Sequence, residues 1–224
     1  MKVLQIPRNI ASRMNTTIPI LRQMGHDAVG IDVGPPTPIT SSNNIIRLVR
    51  SDLFNPFHAT RIAWHIASCD ILHWIGGRRQ SVYTQTLLGI VKSLQKPAIV
   101  EFCGSDIRCQ TNGPGGDSTD DMTGFIKSHD ESLRVQQLYA RHGFNAMTFG
   151  YELDMYLHHD LFPTTYKTRR CVDIDALSPL YRTGRDIPLI VHCPSRKGVK
   201  GSRYVLLAVE ELRRQGILFV PQTS

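Results

Sequence analysis

The chain lacks the features that settle several classes at once. None of its 224 residues falls in an apolar run long enough to cross a bilayer, which takes roughly 18 to 20 residues. The opening MKVLQIPRNIASRM has only a short apolar stretch before Pro7 and Arg8, too little for a secretory signal or an anchor. Its five cysteines (Cys69, Cys103, Cys109, Cys171 and Cys193) include no C-x-x-C pair, so the usual spacing of zinc and dithiol sites is missing and free thiols in a reducing cytoplasm are the economical reading. Neither a G-x-x-x-x-G-K-[ST] loop nor a G-x-G-x-x-G turn occurs, which disfavours P-loop hydrolysis and standard dinucleotide binding. No basic stripe is interleaved with aromatics, so the sequence predicts no nucleic-acid partner. Wholesale disorder is excluded by composition, with 41% hydrophobic and 20% charged residues.

What is present is alternation. A β-branched opening strand, a segment with Ile20, Leu21 and Met24 at helical spacing, Gly25 at a helix C-cap position and the run DAVGI make one βαβ unit, so the sheet begins parallel. The pattern continues with strands expected at 45–49, 70–75, 97–103 and 145–149 and helices at 56–68, 82–95, 125–142 and, more weakly, 151–158. The stretches at 34–44 and 109–124 read as loops. By pattern Trp64 and Trp74 belong to helix and strand cores. After an irregular stretch at 169–182 a second unit opens, with a strand at 187–193, a loop, a helix at 202–215 ended by Gly216 and a strand at 217–220. The fold class is therefore α/β with a mostly parallel sheet: a first domain over residues 1–184 and an opening β-α-β of a second over 185–224. About 40 residues bury too little for a core of their own. The helix is expected to dock Tyr204 or Val205, Ala208 and Leu212, and any side left bare would favour self-association.

The net charge of +7 is concentrated at one end. Residues 182–224 hold eight basic and three acidic side chains. In the loop before the second-unit helix, Arg196, Lys197, Lys200 and Arg203 surround Gly198 and Gly201, with Ser195 and Ser202 as hydroxyl donors. Glycines allow close backbone approach, cations neutralise phosphate, and a helix N-terminus favours an anion. That is a cradle for a diphosphate, although Ser202 as a simple cap and solvated basic residues explain the same letters. At the strand ends DILHWIGGRR and VEFCGSDIR, the residues His73, Gly76, Gly77, Gly104, Ser105, Asp106 and Arg108 fall where open α/β sheets bind ligands. An imidazole and a carboxylate there suit a hydroxyl-positioning or general-base role; a satisfied core histidine and a turn aspartate are the plainer alternatives.

The segments DILHWIGG, EFCGSDIR and IVHCPSRKGVKGSRYVLLAVEELRRQG, together with LRQMGHDAVGI, resemble the group-one, family-four type of GT-B glycosyltransferase, built from two facing Rossmann-like domains. The resemblance runs with gaps from residue 1 to about 219. It implies transfer of a sugar from a nucleotide diphosphate sugar to a glycan, lipid-linked or other acceptor, without cofactor or essential metal, with the acceptor on the N-terminal domain and cytoplasmic or peripheral membrane placement. Ser195, Arg196, Lys197, Lys200, Gly201 and Ser202 would contact the diphosphate. His73 and Asp106 would be catalytic, and Gly76, Gly77, Gly104, Ser105 and Arg108 would line the acceptor cleft. Three departures stand out. Cys103 replaces a frequent histidine, PRNIAS replaces a glycine-rich loop after the first strand, and the E-x7-E donor segment would fall beyond Ser224, so a chain truncated within the donor domain is expected. A non-catalytic module partnering a separate donor chain, and a small phosphate-binding α/β protein, are the rival readings.

Overall fold

Two β-branched apolar runs joined by one helix set the direction of the whole sheet. In the computed structural model, which describes residues 1–33, 45–48, 55–77, 82–109, 128–169, 189–192, 202–217 and 219–223, β1 (Lys2–Ile6) and β2 (Asp27–Val33) pair in parallel with Leu4 opposite Val29. Helix α1 (Arg13–Gln23) crosses between them, burying Met14 and Ile18 with Leu21 packed alongside. Gly25 closes it at φ 83°, its N–H donated to the Arg22 carbonyl, the left-handed conformation that a residue without Cβ adopts at little cost. Met24 lies past the last turn and is exposed, so the inward stripe sits one turn earlier than the spacing predicted.

The alternation then runs β3 (Ile45–Leu48), α2 (Pro56–Ser68), β4 (Ile71–Ile75), α3 (Val82–Ser93), β5 (Ala98–Glu101), α4 (His129–Ala140), β6 (Asn145–Phe149), α5 (Gly150–Asp154) and β7 (Thr165–Thr168). These seven strands form one sheet in the order β3-β2-β1-β4-β5-β6-β7, with every pair parallel. This is a Rossmann-like α/β layer structure. Helix starts follow local chemistry: Asn55 accepts from the Phe57 N–H with Pro56 next in line, and Ser128 with Glu131 makes a reciprocal capping box. A large core cluster joins β1, β4 and β5 to α2, α3 and α4, and a smaller one sits under α1. Trp74, Tyr139 and Phe144 meet edge to face within it, at centroid distances of 5.9, 6.2 and 5.5 Å.

Two expectations give way and one strand appears that the sequence did not announce. Trp64 is 60% exposed, because Ile62 and Ile66, one turn apart, set the buried stripe of α2 and the residue midway between them faces outward. Strand β7 was invisible in the sequence: TYKT has no apolar alternation, and at the sheet edge it is only partly covered. The helix expected over 151–158 stops at Asp154 and gives way to a 3₁₀ turn at His159–Leu161.

A second compact unit holds β8 (Leu189–His192), α6 (Ser202–Arg214) and β9 (Val220–Thr223), with β8 and β9 parallel and Leu189 opposite Val220. β9 begins where the sequence reading ended it, because the Gly216 and Ile217 N–H groups fold back to Arg213 and Leu212 and the helix-closing turn consumes Ile217. α6 buries Val209 and half-buries Val205 and Leu212, while Tyr204 and Ala208 are exposed with Leu206 and Leu207. The boundary expected at 184 lies outside the described residues. Among the described residues no helix is long and apolar enough to cross a membrane. The two tryptophans should therefore separate in denaturant titrations: Trp74→Ala should cost about 3 to 5 kcal/mol and Trp64→Ala about 0.5 kcal/mol or less.

Candidate functional site

Strand order reverses between β1 and β4, whose neighbours run outward in opposite directions. At such a switch point the connections leave on opposite faces, and the crevice beyond the carboxyl ends opens to ligands. Gln5 on β1 and His73 on β4 are directly paired across it. The Thr17 hydroxyl of α1 lies 2.8 Å from Gln5 Oε1 and 2.9 Å from the Arg13 carbonyl oxygen, its one proton shared between them, and the Gln5 amide nitrogen faces His73 and donates to Nδ1 at 3.1 Å. The ring proton then resides on Nε2. That nitrogen lies 2.9 Å from Glu101 Oε2 but beside the carboxylate rather than in line for a hydrogen bond. Glu101, 1% exposed, also forms an ion pair with Arg13 from the first turn of α1, and the Arg13 guanidinium lies 3.6 Å above the Phe149 ring. Burial, and then the Arg13 charge, pull the His73 imidazole down to about 4. The cleft floor is thus a neutral imidazole beside a matched pair of buried charges.

Asp106 works differently. Its Oδ2 accepts from the Gly77 N–H at 2.8 Å and the Cys103 N–H at 2.9 Å, and its Oδ1 from the Gly104 N–H at 2.7 Å. Three amides from two connections converge on one buried carboxylate, tying the loop after β4 to the turn after β5. Gly76 and Gly104 take φ 83° and 119°, and a Cβ at Gly77 would lie 2.9 Å from the Phe102 ring, so glycine is demanded by conformation at two positions and by space at the third. Ser105 is half-buried in the turn, and exposed Arg108 pairs with Glu152 at 2.7 Å. Of the other expected residues, Ser202 is buried with its hydroxyl 2.8 Å from His192 Nε2. Ser195, Arg196, Lys197, Lys200 and Gly201 lie outside the described residues.

The structure brings His73, Gly76, Gly77, Gly104, Ser105, Asp106 and Arg108 to the carboxyl edge of the sheet. It adds Gln5, Arg13, Thr17 and Glu101, which the sequence reading passed over. One signal was available for Glu101: an acid inside the apolar strand AIVEF must find a cation or hydrogen-bond donors, because an unpaired buried charge is prohibitively costly. Chemically the edge combines glycine loops whose amides are tied down within the fold, a fixed imidazole, guanidinium groups, the Ser105 hydroxyl, and the Cys103 thiol, whose Sγ lies 3.5 Å from Glu101 Oε1. Among the described residues no three histidine, cysteine, aspartate or glutamate side chains converge as metal ligands.

No protein-family model matches the chain, and no curated protein does. Among solved structures it is similar to an alpha-glucosyltransferase in complex with UDP-glucose and DNA containing an abasic site, with a TM-score of 0.54 and 12% sequence identity over 99% of this chain. The chain spans 66% of that protein's length. The likeness establishes a glycosyltransferase-like fold.

Two measurements check this geometry. Asp106→Ala strands three buried amides, each unsatisfied group costing about 1 to 3 kcal/mol, so unfolding should show a loss of about 3 kcal/mol or more, and hydrogen exchange should accelerate at Gly77, Cys103 and Gly104. His73, whose folded value sits below its ordinary 6.5, is uncharged in the fold, so its contribution is complete above about pH 6.5 and is lost as pH falls toward 4. At about 1.4 kcal/mol per unit the loss amounts to about 3 kcal/mol. His73→Gln should flatten that part of the stability profile.

Proposed function

We propose that the chain belongs to a glycosyl-transfer system in which its first unit presents an acceptor hydroxyl at the carboxyl edge of the sheet and a nucleotide diphosphate sugar is the donor. The observation that carries this reading is the switch-point crevice between β1 and β4, built on glycine loops within a glycosyltransferase-like fold. The reaction breaks the bond between the anomeric carbon and the diphosphate oxygen and joins the acceptor oxygen to that carbon. The nucleotide diphosphate departs with the electron pair, and the proton lost by the acceptor hydroxyl passes to the departing diphosphate oxygen or to solvent.

In this reading the loops carrying Gly76, Gly77 and Gly104 shape the acceptor side, the Ser105 hydroxyl and the Arg108 guanidinium are the groups that meet the acceptor, and Asp106 holds both loops at fixed spacing. His73 serves better as a fixed, neutral part of the buried floor than as a proton carrier, since a base held near 4 is weak. Negative charge grows on the departing diphosphate, and fixed cations lower that barrier. On sequence grounds we assign that task to Lys200 with Arg196 and Lys197, with Ser195, Gly201 and Ser202 completing the cradle.

Isothermal titration of the full chain with UDP-glucose tests the donor assignment directly. Binding should weaken at least tenfold in Lys200→Ala with the unfolding midpoint unchanged. Equal affinity in the variant, or no binding of any nucleotide diphosphate sugar, would remove the donor from this account.

A further inference from the structure

The groups set against His73 come from three elements: Gln5 from β1, Arg13 and Thr17 from α1, and Glu101 from β5. No other titratable side chain lies on its own strand, Ile71–Ile75. A carboxylate 2.9 Å from a ring nitrogen would ordinarily favour the imidazolium. Here that carboxylate is already paired with a guanidinium, which also repels a second cation. We propose that Gln5 and Arg13 are positioning residues for His73, Gln5 choosing the tautomer and Arg13 taking up the Glu101 charge so that the adjacent imidazole stays neutral. Two different jobs follow from two different contacts. The Gln5 amide oxygen faces the Thr17 hydroxyl, whose proton is shared with the Arg13 carbonyl, and the amide nitrogen faces Nδ1, which leaves the ring N–H on Nε2. The Arg13 side chain, stacked on Phe149, is held by packing as well as by charge. Together they give the switch point an uncharged imidazole whose state is constant over physiological pH, in place of a proton shuttle.

The proposal goes beyond the glycosyl-transfer reading and is tested without any sugar. Long-range proton–nitrogen spectra of the uniformly ¹⁵N-labelled full chain report tautomer and titration for each histidine. In the native chain His73 should show the Nε2–H pattern and no titration between pH 5 and 8. In Arg13→Gln its titration should enter that window, moving up by at least one pH unit, and Arg13→Lys should return it to the native behaviour. Gln5→Leu should mix the tautomers without moving the titration into the window. If Arg13→Gln fails to fold, Arg13→Met, which keeps the packing over Phe149, replaces it. A native His73 that titrates between pH 5 and 8, an Nδ1–H tautomer, or an Arg13 variant with unchanged titration would overturn the proposal. Since no ligand enters, such a failure leaves the glycosyl-transfer reading standing, and failure to bind a nucleotide sugar leaves this result untouched.

Discussion

A single carboxylate at the end of the interior strand β5 organises the ligand-facing edge of the first unit. Glu101 is buried where water cannot solvate it, and a lone buried charge would cost several kcal/mol, so the neighbouring elements are arranged to satisfy it. Its side chain draws Arg13 from the start of α1 and sits beside His73 of β4, and its carbonyl accepts the Gly76 N–H at 2.9 Å. One residue thereby ties α1 to the sheet, fixes the first glycine of the β4 loop, and sets the charge state around the histidine. Two residues on, the chain turns into the Gly104 corner where Asp106 repeats the device with backbone amides. Breaking a buried pair by removing one partner is far more harmful than its net worth suggests, so the edge is stiff because each of its charges has an assigned partner.

Parallel strands were easy to read from the letters because a doubly covered strand must be almost wholly apolar. KVLQI, DILHWI and NAMTF each stand where such runs predict. Edge elements escaped for the same reason. β7 is TYKT, polar and half solvated, and is stabilised by sheet pairing and by Lys167 reaching Asp154, none of which leaves a periodic trace. Trp64 misled because hydrophobic size was weighed above phase: with Ile62 and Ile66 inward, the intervening position must face water. The glycines and Asp106 were legible as a turn, but its three amide donors come from residues up to 29 positions away, a convergence only the folded chain reveals. Arg13 was hidden likewise, since its partner lies across the crossover in β5.

The fold alone admits many chemistries, and at 12% identity the likeness to a glucosyltransferase speaks to architecture. What narrows the reading is placement. The glycine loops emerge on the one side of the sheet where strand order reverses, their amides and the buried charges beside them are satisfied internally, and the side chains left facing outward there include Ser105 and Arg108.

The central claim is that this edge receives the sugar-bearing ligand. Mapping amide shifts of the labelled full chain on adding UDP-glucose together with a simple acceptor sugar tests it most directly. The account requires the largest changes at Gly76, Gly77 and Cys103 to Arg108, with His73 following. Changes confined to the opposite ends of the strands, around Lys2, Asp27 and Asp70, or none in the first unit at all, would contradict it.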